Sequence, residues 1–124
     1  MKKELEDIIC AAAPKLMRDM RGDMTKTCLA FGFECGDGWF SLLLEAATEL
    51  EALDADICAA QVKEKFGTLR FYLREQPLGA DAIIRRAELR SSQECEDCGA
   101  RGQRGGNGYI RTLCAKHTII KDED

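Results

Sequence analysis

The sequence predicts an α+β fold: helices packed on a β-hairpin, followed by a short C-terminal module closed by cysteine and histidine. Three observations carry this. Trp39, Leu42, Leu43, Ala46, Leu50 and Leu53 fall on one stripe at helical spacing over residues 38–53. Leu69, Phe71 and Leu73 alternate with Arg70, Tyr72 and Arg74, the period-2 pattern of a half-buried strand. Two residues separate Cys95 from Cys98 and two separate Cys114 from His117, with fifteen residues between the pairs.

The elements follow in chain order. Leu5, Ile8, Ile9 and Ala12 predict a helix over 3–12 with those residues as its buried face. Pro14 lacks an N–H and clashes with the preceding turn, so it ends that helix. A second short helix is expected at 14–21, with Leu16, Met17 and Met20 apolar and Gly22 as its stop. Residues 24–35 fit either an irregular segment or a short helix. Asp37, within Gly36-Asp37-Gly38, is the expected N-cap of the central helix. Phe40 and Leu44 widen that helix's apolar stripe, and Trp39 reads as core. Residues 57–65 partner the strand ending at Arg74 across a turn at Phe66-Gly67-Thr68. After a break at 76–79, a helix over 80–93 buries Ala80, Ile83, Ile84 and Ala87 and leads directly into Cys95.

The chain has 124 residues, 45% of them hydrophobic, enough for one modest core. We expect a globular core over 1–93 with a metal-binding module over 94–124 packed on it. The first residues carry early charges and no apolar h-region, and no stretch is long enough to span a bilayer, so the expected location is the cytosol. Seven cysteines in a reducing compartment point to metal ligation and buried thiols rather than disulfides. Cys10, Cys28, Cys35 and Cys58 are expected to be small buried hydrophobes.

Zinc takes four tetrahedral ligands of thiolate and imidazole type, and a CxxC turn offers two sulfurs to one ion. Cys95, Cys98, Cys114 and His117 therefore make a closed Cys3His site for structural Zn2+. Gly99 tolerates the positive φ that such a knuckle needs. A hairpin tip at Gly105-Gly106-Asn107-Gly108, a strand at 109–113 and a helix from Cys114 complete a treble-clef-like or zinc-ribbon-like order. Four protein ligands leave no position for a catalytic water. His117 is the only histidine, which removes a His-dependent triad and an HNH-type nuclease. No phosphate-binding glycine loop occurs. The expectation is a non-enzyme.

The net charge of −4 is unevenly spread. Residues 1–78 carry 10 basic and 14 acidic side chains, and residues 79–121 carry 8 basic and 5 acidic ones. No Lys or Arg lies between Lys26 and Lys63, a stretch with seven acids. Glu45, Glu49 and Asp56 approach one face of the central helix if it runs that far, making an acidic surface for a basic partner protein. The alternative surface is basic: Arg85, Arg86 and Arg90 on the last helix with Arg101, Arg104 and Arg111 around the metal module, suited to phosphate. Tyr109 is the only stacking aromatic there. Phe31, Phe33, Trp39 and Phe40 offer apolar surface that a homodimer could cover.

The string Cys95-Glu96-Asp97-Cys98-Gly99 with Thr112-Leu113-Cys114 is similar, over about 25 residues, to the zinc finger of the DksA/TraR transcription factors. Those factors enter the secondary channel of bacterial RNA polymerase. The fourth ligand here is His117, where that family usually has cysteine, and no long coiled coil accompanies it. A wider pattern resembles a family of small bacteriophage and prophage proteins. It runs from Gly36-Asp37-Gly38-Trp39-Phe40 through Gln61-Val62-Lys63-Glu64-Lys65-Phe66-Gly67-Thr68-Leu69-Arg70-Phe71-Tyr72 to the two ligand pairs. That resemblance implies a bacterial host cytoplasm and a protein that binds and modulates a host protein, such as a defence complex or the transcription machinery.

Overall fold

A computed structural model of the chain describes residues 1–20, 27–53, 55–106 and 108–122, with the backbone alone for 119–122. The expected helix stop at Gly22, the first part of the 24–35 segment, Asp54, Asn107 and the final two acids lie outside the described residues. Along the chain run α1 (Lys3–Ala12), a 3-10 turn (Cys28–Phe31), β1 (Phe33–Glu34), a second 3-10 turn (Asp37–Trp39), α2 (Phe40–Glu51), β2 (Ala59–Lys65), β3 (Thr68–Leu73), α3 (Ala80–Ser91), β4 (Gln103–Gly105), β5 (Arg111–Leu113) and α4 (Ala115–Asp122). Helices and small sheets are mixed, as an α+β class requires.

The centre is α2, which buries Leu42, Leu43, Ala46, Ala47 and Leu50, with Trp39 fully buried just before it. The sheet has the order β1-β2-β3. β2 and β3 are antiparallel and closed by Phe66-Gly67, both with positive φ (53° and 84°), a primed two-residue turn whose twist matches the strands. Phe33, Val62, Leu69 and Phe71 face the helices within one core. α3 closes the free edge of β3, and the Leu69 N–H donates to Ser91 Oγ at 2.8 Å.

Five expectations are corrected. β1 lies in the segment left open between irregular chain and helix, paired in parallel with β2. The buried face of α1 is Glu6 and Ile9, and Ile8 is exposed. The helix is turned so that the Glu6 carboxylate accepts the Phe33 N–H at 2.7 Å inside the protein. The helix expected at 14–21 is, over its described part, a run of turns. Its backbone bonds to distant elements instead: the Glu51 carboxylate accepts Lys15 N–H at 3.1 Å and Leu16 N–H at 2.8 Å, and Leu16 O accepts Ala59 N–H at 2.9 Å. Asp37 does not cap α2, because its side chain accepts the Lys2 N–H at 2.8 Å. Of the aromatics considered for a dimer, Phe33 and Trp39 are buried and Phe40 is partly buried, so only Phe31 is exposed.

Glu51 thus fastens the Pro14 turn to the end of α2. Glu51→Ala should lower stability by about 2 kcal/mol, the scale of leaving buried N–H groups without a charged acceptor. The check is the urea midpoint, with an unchanged midpoint counting against this role.

Candidate metal centre

The quartet is delivered by three local structures. After α3, the chain turns back on itself: Glu94 bridges Arg101, Cys95 N–H donates to Ala100 O at 2.7 Å, and Gly99 N–H donates to Cys95 O at 2.8 Å. Gly99 has φ +82°, as a metal knuckle requires. β5 pairs with β4 and delivers Cys114 at its end. α4 then starts at Ala115 and places His117 in its first turn, with Thr118 N–H bonded to Cys114 O at 2.9 Å.

The ligand atoms of Cys95, Cys98, Cys114 and His117 all lie within 4.8 Å of one another. Cys98 Sγ is 3.7 Å from Cys114 Sγ, and Cys95 Sγ is 3.6 Å from His117 Nδ1. A tetrahedral zinc with ordinary bond lengths would place sulfur about 3.8 Å from sulfur and about 3.6 Å from nitrogen. Cys114 Sγ to His117 Nδ1, at 3.1 Å, is the one tighter edge. The quartet fits a single tetrahedral ion bound through Nδ1. The His117 backbone N–H, and then its ring, pull the Cys114 thiol down to about 6, so this ligand is mostly thiolate at neutral pH. Cys95 and Cys114 are buried, His117 is half-buried and Cys98 is exposed.

The knuckle is seated on the turn that precedes α2. Gly38 N–H donates to Glu96 O and Gly36 N–H to Glu96 Oε2, both at 2.8 Å, and Trp39 Nε1–H donates to Glu94 O at 2.9 Å. A Cβ on Gly38 would overlap Cys95 O and come within 2.6 Å of Cys98 N, so the two backbones meet only because residue 38 is glycine. Glu96 is buried, and its other oxygen pairs with Arg111 at 3.2 Å. Arg111 also pairs with Asp97 at 2.8 Å. On the far side, Thr112 Oγ1–H donates to Gly67 O at 2.6 Å and Arg104 Nε–H to Phe66 O at 2.6 Å. Glu96, Gly36, Gly38 and Thr112 were not among the sequence-predicted site residues. The one signal was two glycines flanking Asp37, where a single capping residue would have sufficed.

The predicted partner-binding residues are placed differently. Glu49 pairs with Arg86 at 2.8 Å, Glu45 pairs with Arg90, and Arg90 also holds Glu94 at 2.7 Å. Asp56 lies beyond the end of α2 and pairs with Arg18 at 3.0 Å. Arg85 pairs with Asp81 along its own helix at 2.9 Å. The acidic and basic faces inferred from sequence therefore meet each other across α2 and α3. Arg101 is exposed and makes no ion pair among the described residues. Of the remaining cysteines, Cys35 and Cys58 are buried as expected, Cys10 is half-buried and Cys28 is exposed, because Leu29 takes the inward position of its turn.

No protein-family model matches the chain, and no curated protein or solved structure does. No helix among the described residues is long and apolar enough to cross a membrane.

Gly38→Ala should separate the knuckle from its seat. We expect a loss of about 4 kcal/mol, the scale of severe single substitutions, and weakened metal retention although no ligand is altered. Gly105→Ala, where an added Cβ meets nothing within 4 Å, should change neither. Thermal melts and metal analysis of both variants make the comparison. Native alkylation of the zinc-loaded protein near pH 8 should label Cys28 first and leave Cys35 untouched, since burial pushes the Cys35 thiol up to about 12. Mass spectrometry of peptides would read the order, and early labelling of Cys35 would contradict its burial.

Proposed function

We propose that the chain is a non-enzymatic binding protein whose small fold is closed by a structural zinc ion. One observation carries this: four protein ligand atoms converge within 4.8 Å, on a knuckle seated against the core. A closed set of this kind stabilises a fold and leaves no coordination position for a reacting water. The only histidine belongs to the set, so it is not available as a general base. The order of knuckle, β4–β5 hairpin and α4 supports a treble-clef-like reading of the module.

The resemblance to phage and prophage proteins supports action in a bacterial cytoplasm on a host protein, in a defence complex or the transcription machinery. The acidic set Glu45, Glu49 and Asp56 gives this reading little help, since each is paired within the chain. A second reading, nucleic-acid binding, gains from a specific observation: Lys63, Lys65 and Arg70 on the open side of the β2–β3 hairpin lack carboxylate partners among the described residues.

Metal analysis of the purified protein should give close to one zinc per chain, lost in Cys95→Ser, with a chelator lowering the thermal midpoint. A metal-free wild type of unchanged midpoint would defeat the zinc reading. Immobilised zinc-loaded protein should retain a specific bacterial protein. Reproducible retention of none counts against the host-protein reading.

A further inference from the structure

The three-stranded sheet has two unlike faces. Phe33, Val62, Leu69 and Phe71 turn toward the helices and are buried. The opposite set follows from strand alternation and the register, in which Gln61 pairs with Tyr72, Lys63 with Arg70, Lys65 with Thr68, and Glu34 of β1 with Lys63. All of these side chains are half-buried or exposed, so no described element closes over this face.

Its charges differ from those of most arginines on the rest of the surface, Arg101 and Arg104 excepted. Arg18, Arg74, Arg85, Arg86, Arg90 and Arg111 each face a carboxylate. Lys63, Lys65 and Arg70 form no ion pair among the described residues. Glu88 of α3 feels the charge of Arg70 without pairing with it. Two exposed rings flank the cations. Tyr72 is 43% exposed near one end of β3, and Phe66 is 58% exposed at the hairpin tip. Four strand residues, about 14 Å, separate Thr68 beside the tip from Tyr72. Lys65 Nζ lies 5.7 Å from the Phe66 ring centroid, which keeps that cation beside the ring.

We infer that the open face of the β1–β2–β3 sheet binds single-stranded nucleic acid, with Tyr72 and Phe66 stacking on bases and Lys63, Lys65 and Arg70 following the phosphates. This rests on the second functional reading above and moves it away from the arginines of α3. Cations without carboxylate partners, flanked by exposed rings on one face of a sheet, match a strand whose bases are free to splay. Arg70 is held in place by Thr68 Oγ1, which accepts its N–H at 2.7 Å. A duplex hides its base faces, and no described helix projects from this side to enter a major groove. The net charge of −4 does not forbid the contact, because charges on other faces are screened beyond about 8 Å at physiological salt. Glu34 is the one acid on the face among the described residues; it accepts a hydrogen bond from Gln61 Nε2 at 3.4 Å and opposes the phosphates.

The test is fluorescence anisotropy of labelled oligothymidylate and oligouridylate, about 12 nucleotides long, with the zinc-loaded full chain. Three phosphate contacts predict that affinity falls about 20-fold between about 50 and about 200 mM salt. The double variant Lys63→Gln/Arg70→Gln should flatten that dependence to about threefold, as one remaining contact requires. Tyr72→Ala should weaken binding about tenfold, while Tyr72→Phe, which keeps the ring, restores it. Glu34→Gln should tighten binding, and Arg85→Gln on α3 should change nothing. Thermal melts establish that the variants are folded. Failure of the wild type to bind any single strand near 50 mM salt overturns the inference, and failure to bind duplex of equal length as well overturns the nucleic-acid reading. Binding that survives in the Lys63/Arg70 and Tyr72 variants and is lost in Arg101→Gln/Arg104→Gln overturns this face and leaves the broader reading intact. A preference for duplex of equal length overturns the single-strand assignment.

Discussion

The structure depends on one contact, the seating of the Cys95–Cys98 knuckle on the Gly36–Trp39 turn. Three donors from the turn, the N–H groups of Gly36 and Gly38 and the Trp39 indole, bond to Glu94 and Glu96. α2, the most apolar helix, begins immediately after this turn, and α3, which packs on α2, ends immediately before the knuckle. Both helices are therefore fixed at the same point. A chain of this size buries too little apolar surface for a large stability margin. A metal held by the quartet would order the knuckle and, through this contact, the start of α2, so its binding free energy would reach the core.

Glu96 shows why the contact is specific. Burying a carboxylate is costly unless its oxygens are matched, and breaking a buried pair costs more than the pair contributes. Here Oε2 takes the Gly36 N–H and Oε1 takes the Arg111 guanidinium, so the knuckle, the turn and β5 share one buried charge. A shift of one residue in any of the three would strand it. The gain is a single register between the metal module and the core.

Much of this was legible in the sequence where the signal is local. The ligand quartet, the stripe of α2 and the β2–β3 alternation depend on spacing alone, and each appears close to where spacing puts it. The misses share a different cause. The turns at 14–20, the rotation of α1 and β1 are fixed by Glu51, Phe33 and Val62, each more than 20 residues away in sequence. Acidic side chains that read as solvent-facing serve as acceptors for backbone N–H groups in the interior. Gly36 and Gly38 resemble ordinary turn glycines until the backbone they approach is known.

The charge pattern along the sequence omits pairing for the same reason. A stretch without lysine or arginine from 27 to 62 looks like an acidic surface only if its partners are sought nearby. Arg86 and Arg90 are 37 and 45 residues from Glu49 and Glu45, and α2–α3 packing brings them together. Exposed pairs of this kind contribute about 0–1 kcal/mol each, so stability is not their main consequence. Their consequence is that the arginine-rich helix presents little uncompensated charge. Lys63, Lys65 and Arg70 on β2 and β3 do remain without ion pairs among the described residues, beside the only two rings exposed on that hairpin. A count along the sequence takes every arginine of α3 as available charge, and pairing in three dimensions removes Arg85, Arg86 and Arg90 from that count.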